Sequence, residues 1–178
     1  MHPLQYGIEP HQLRPGLRSW VAPRRSLGFA PQPTDATATV GDTGAVTLAA
    51  AVGAHLRGGR AVPEGHEVLL SAVECALADF LGLLRATAAQ LHVTDYDLQF
   101  NVEWTDPGTP LEFLLPTRTA PFVGDESRET VHFVPVRATL AVGVDDGTFH
   151  RDAYELARDC ANQAATRDPI AFRPPPAE

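Results

Sequence analysis

The sequence predicts a single α+β domain: an antiparallel sheet of three or four strands, a long central helix and a C-terminal helix over its apolar face, and a Pro-rich N-terminal arm outside it. Three observations carry this. Tyr96, Leu98, Phe100, Val102 and Trp104 alternate with polar residues, the period of a half-buried strand. Leu69, Val73, Ala76, Leu77, Phe80, Leu84, Ala88 and Leu91 recur at three- and four-residue steps, the period of a helix. The segment 1–33 holds six prolines, each of which removes a backbone donor and discourages helix before it.

We divide the 178 residues into an extended basic arm over 1–33, one domain over 34–166 and a polar, Pro-rich tail over 167–178. In the arm, Arg14, Arg18, Arg24 and Arg25 outweigh Glu9 to give +3, which leaves −11 for the rest of a chain whose net charge is −8. A solvated tail would be poor in large apolar residues, yet this one carries Leu4, Tyr6, Ile8, Leu13, Leu17, Trp20, Val21, Leu27 and Phe29. Such an arm is expected to lie on a surface. We take Trp20 and Phe29 as anchors and Arg14, Arg18, Arg24 and Arg25 as the charge that meets acidic surface on a partner.

Along the domain, a short strand is predicted at 36–40. Asp42 or Thr43 then caps a short helix whose apolar side is Leu48, Ala51, Val52 and Leu56, ended by Gly58 and Gly59. Pro63 opens the long helix, 64–91. The strand 95–104 turns at Asp106-Pro107-Gly108 into a hairpin with Leu111, Phe113 and Leu115, and Pro116 closes it. A polar loop with Gly124, Asp125, Glu126, Ser127 and Arg128 leads to the run 129–144, far longer than an ordinary strand of about 5–6 residues. Its apolar phase slips from odd positions (Val131, Phe133) to even ones (Val134, Val136, Ala138, Leu140), so a break is expected near 133–135, with one half offering a free edge. Thr148 caps the last helix, which runs to about 165 and buries Phe149, Ala153, Leu156, Cys160 and Ala164.

The chain has no lysine: all fourteen basic residues are arginine, and isoleucine occurs only at Ile8 and Ile170, the bias of a GC-rich coding sequence. Schiff-base chemistry, a phosphate-loop lysine and a lysine base are therefore excluded. An acidic chain disfavours nucleic acid and anionic lipid as partners. Cys75 and Cys160 sit in apolar helical patterns, as reduced, buried thiols do. With no export signal and no run of about 18 apolar residues, the reading is a cytoplasmic protein outside membranes.

Catalytic motifs are sparse. Asp42-Thr43-Gly44-Ala45 resembles the loop that carries the active aspartate of aspartic proteases. The likeness covers four residues; Gly41 precedes the aspartate where that family has apolar residues, and a helix cap accounts for the same letters. The seven histidines show no paired ligand spacing, and His66-Glu67-Val68-Leu69-Leu70 fails the zinc-protease helix pattern, so no metal or cofactor is assigned. His132, in a strand pattern, is a weak acid–base candidate. The function expected is a non-enzymatic assembly subunit that self-associates through its arm and a strand edge, with a fold-level analogy to ring and particle subunits of the phage-tail and connector kind. Two alternatives are a small-ligand-binding or sensing domain of a regulator, and an enzyme using Asp42 or His132.

Overall fold

The computed structural model describes residues 14–16, 19–23, 36–53, 55–57, 60–62, 65–106, 108–117 and 120–176. It is an α+β fold of two helices and small, mostly antiparallel sheets. The first sheet is an up-and-down meander of β1 (Arg14–Gly16), β2 (Ser19–Pro23), β3 (Ala36–Gly41) and β4 (Val46–Ala50). Arg14 and Trp20 thus lie in strands, Trp20 opposite Val40, whereas Arg18, Arg24, Arg25 and Phe29 fall outside the described residues.

The helix expected after Asp42 does not form. Asp42-Thr43-Gly44 is instead a hairpin turn, closed by Gly41 N–H to Ala45 O at 2.7 Å and Gly44 N–H to Gly41 O at 2.9 Å, with Gly44 at φ 85°. Any side chain at Gly44 would be strained there, and its Cβ would sit 3.4 Å from Leu91. Val46, Leu48 and Ala50 satisfy a two-residue period as well as a helical one, and pairing of Leu48 with Ala38 decides between them. With no helix behind it, Asp42 caps nothing; it is exposed.

A small hairpin joins β5 (His55–Arg57) to β6 (Arg60–Val62). The long helix α1 (Leu70–Leu91) begins six residues later than expected, because Glu67–Leu69 forms β7, parallel to β9 (Leu111–Thr117). Of the predicted stripe Val73, Ala76, Leu77, Leu84 and Ala88 are buried, Phe80 is half-buried and Leu91 is exposed; Leu70 and Leu81, outside that stripe, are buried as well, together with Glu74 and Thr87. It ends at His92, which takes the left-handed conformation at φ 56° and donates its backbone N–H to Ala88 O.

The predicted hairpin between 95–104 and 111–115 is also corrected. The chain does turn at Asp106, whose carboxylate accepts from Gly108 N–H at 3.1 Å and Thr109 Oγ1 at 2.7 Å. The two strands nevertheless part. β8 (Asp95–Phe100) pairs antiparallel with β11 (Val136–Ala141), while β9 pairs with β10 (Ala120–Thr130). The segment 124–128, expected as a loop, lies within β10, where the pairing with β9 shifts register on either side of Gly124. β9 continues through Pro116 to Thr117.

The break in the long run is where the apolar phase slips: β10 ends at Thr130 and β11 starts at Val136. Phe133, in between, is buried and bridges the sheets, its ring 6.5 Å from Phe100 and 6.4 Å from Phe113. Gln163 clamps the same connection, accepting from Val134 N–H at 2.6 Å and donating to Val134 O at 2.9 Å. Val142 belongs to the core, with its N–H bonded to Thr94 O at 2.8 Å, so that half of the run is not a projecting edge.

Helix α2 (Asp146–Gln163) is capped by Asp145 rather than Thr148; the Asp145 carboxylate accepts from the N–H groups of Gly147 and Thr148 and from the Thr148 hydroxyl. α1 is the hub of the fold, touching α2, β4, β7, β8 and β9, while α2 packs on β11. Among the described residues, no helix is long and apolar enough to cross a membrane.

Candidate functional site

Two sheets end beside α1 without meeting. β4 is the last strand of the meander and β8 is one strand of the β8/β11 pair, and among the described residues neither carries a further strand on its α1 side. The space between them is a cavity of about 580 Å³. Val73, Ala76, Phe80 and Leu84 of α1 make its floor; Val46 and Leu48 form one wall, Leu98, Phe100 and Val102 the other.

Sequence alternation explains this placement. From Asp95 to Trp104 every second residue is withdrawn from solvent, so β8 and its extension turn Tyr96, Leu98, Phe100, Val102 and Trp104 to α1. The other face bears Asp97, Gln99, Asn101 and Glu103. Asp97 accepts from Thr139 Oγ1 at 2.7 Å, Gln99 from Arg137 Nε at 3.0 Å, and Glu103 from Asn101 Nδ2 at 3.1 Å. One end of the groove is closed by the Tyr96 hydroxyl, which donates to Gly44 O at 3.1 Å and ties β8 to the β3–β4 turn.

An edge strand presents backbone N–H and C=O groups that a further extended segment can pair with, and an apolar floor takes alternate side chains of that segment. The lining joins fourteen aliphatic and aromatic residues to Thr47, Asp97, Gln99, Asn101 and Glu103.

The residues proposed from sequence for chemistry stay apart from this groove. Asp42 is exposed at the hairpin turn, beside a second, open depression between β3 and the C-terminal end of α1. His132 is exposed in the β10–β11 connection, not in a strand. The side chains of Arg14, Arg18, Trp20, Arg24, Arg25 and Phe29 lie outside the described residues. The groove is not legible in the sequence: its β8 wall carries the clearest strand alternation in the chain, but Val46 and Leu48 of the other wall fit a helical period as well, and alternation marks which face is buried while staying silent on which backbone edge stays open.

Comparison with known proteins finds no matching family model, no matching curated protein and no matching solved structure.

Proposed function

We propose that the chain is a non-enzymatic assembly subunit, in which the N-terminal segment of one copy lies as an added strand in the groove between β4 and β8 of another. The carrying observation is the pair of open strand edges over an apolar helical floor. The arm suits it in pattern and in charge. Leu4, Tyr6 and Ile8 alternate with Gln5, Gly7 and Glu9, the period an added strand needs, and the arm's +3 complements a body of −11 whose exposed Asp97 and Glu103 flank the groove. Trp20 and Phe29 supply aromatic anchoring, and Arg14, Arg18, Arg24 and Arg25 supply charge at the rim. Arm-to-body exchange of this kind is heterologous, so it closes into a ring or continues as a filament.

Sedimentation of the full chain tests the proposal. The intact protein is expected to run as a multimer. Leu48→Glu, which places a charge on the groove wall, and deletion of residues 1–13, which leaves β1 and β2 in place, should each yield a smaller, folded species. Combining them should change little more, as for two ends of one contact. A monomer at high concentration, or a mass unmoved by both changes, would sink the reading.

One observation favours a second reading: at about 580 Å³ the cavity is the size of a small-molecule site, for which about 300–1,000 Å³ is usual. A monomer whose thermal midpoint rises with a small apolar ligand, and no longer does so in Leu48→Glu, would point to a sensing domain instead.

A further inference from the structure

The parallel contact between β7 and β9 sets Glu67 directly opposite Glu112, and the antiparallel contact between β9 and β10 sets Glu112 opposite Glu129. Three glutamates therefore share one row across three strands. Like charges directly opposite one another on a sheet are destabilising, so the row favours a compensating cation. His66 stands at its end: Glu112 N–H donates to His66 O at 2.7 Å, which brings the histidine beside the first two carboxylates. One ligand atom from each of His66, Glu67 and Glu112 lies within 4.8 Å of the others. One carboxylate oxygen of Glu67 is shielded from solvent, whereas His66 is exposed. Asp106, close enough to act electrostatically on His66, adds to the negative field.

We infer that His66, Glu67 and Glu112 form a binding site for a first-row divalent cation, with zinc the best fit. An imidazole nitrogen beside two carboxylates is the donor set of zinc or manganese rather than calcium or magnesium, which take oxygen ligands almost alone. Ligand atoms held 2.0–2.2 Å from one ion in a tetrahedron stand about 3.3 Å apart, so a turn of the exposed His66 ring and a shift of Glu112 close the site. The fourth position is left to water or to Glu129. The site lies at the start of β7 and on β9, where Glu67 borders a small depression that adjoins the groove at Val52 and Val102, and the inference does not depend on the assembly reading.

The test is calorimetric titration of the untagged, chelator-stripped full chain with Zn²⁺, Mn²⁺ and Ca²⁺. Zn²⁺ should bind one per chain, more tightly than Mn²⁺, in the usual order for nitrogen and oxygen ligands. At Zn²⁺ near 100 times its Kd the thermal midpoint should rise by about 5–10 °C. His66→Gln and Glu112→Gln should each weaken Zn²⁺ by more than about tenfold, the loss that an outer-shell partner alone can cause. Glu112→Gln also relieves the carboxylate row, so its metal-free midpoint should equal or exceed that of the parent; a merely structural glutamate would move it down. His132→Ala serves as the control and should leave Zn²⁺ affinity unchanged. Absence of Zn²⁺ and Mn²⁺ binding, Zn²⁺ binding that survives both substitutions, or Ca²⁺ binding as tight as Zn²⁺ and indifferent to His66→Gln would each overturn the inference.

Discussion

The carboxylate of Glu74, fully buried on α1, accepts the backbone N–H of Ile170, with its two oxygens 3.0 and 2.9 Å from that nitrogen, and also accepts from Ala171 N–H. One side chain thereby fastens the segment after α2 to the central helix, ninety-six residues earlier in the chain. Phe172 packs against the core next to it. A buried carboxylate is tolerated because backbone donors converge on it.

Burial raises the pKa of Glu74 above the ordinary glutamate value, and the bonds from Ala171, Ile170 and Phe172 oppose that shift without cancelling it. A carboxyl with a raised folded-state pKa holds its proton more tightly when folded. Its contribution is therefore full below the unfolded pKa and is lost as pH rises through the folded value. Glu74→Gln should flatten that part of the stability–pH profile, measured by urea unfolding at a series of pH values. Glu74→Leu, which leaves the Ile170 and Ala171 donors unmet, should cost about 1–3 kcal/mol and speed proteolysis after residue 165. A profile with the same slope in Glu74→Gln would show that the carboxyl does not titrate as described.

Arg85 ties α1 to the start of α2 in three ways. It donates to Val144 O at 3.0 Å, pairs with Asp146 at 2.8 Å, and stacks its guanidinium 4.6 Å above the Phe149 ring. Lysine keeps the charge but neither the fork nor the flat stacking surface. Arg85→Lys should cost about 1 kcal/mol in chemical denaturation, most of it retained at high salt because the Asp146 pair is exposed and screened while stacking is not. Full loss of the effect in salt would assign the whole contribution to the ion pair.

Cys160 is completely buried on α2, and burial pushes its thiol up to about 12. Cys75, half-buried on α1, is raised as well, again chiefly by burial. Thiolate is the reactive form, so neither thiol should react readily in the folded protein. Ellman's reagent at pH 8 should modify Cys160 only at the rate of unfolding, with Cys75 reacting first, and denaturant should release both at once. Fast native labelling of Cys160 would contradict the packing of α2 on the core.

How much of this was legible in the sequence differs element by element. α2 and the larger part of α1 could be read because their apolar residues satisfy only a helical period, and the Phe133 break could be read because the apolar phase slips there. The segment 46–50 could not: Val46, Leu48 and the alanines fit helix and strand alike, and pairing with β3 settled it. Trp20, expected to dock on a partner, lies in a strand that pairs with β3 of its own chain, so the deletion that tests the arm has to stop short of β1.

What the sequence determined by itself is the face each residue turns inward: Leu98 and Phe100 toward α1, Asp97 and Gln99 outward, because burial period follows from local backbone geometry alone. Only the tertiary structure decided partners. β8 is joined to a strand about forty residues on rather than to its neighbour β9, and Glu67 meets Glu112 across forty-four intervening positions. Strand pairing is set by which apolar faces can be covered together around α1, a property of the packed whole. The groove between β4 and β8 and the His66–Glu67–Glu112 cluster both arise from that choice, and no local pattern encodes either.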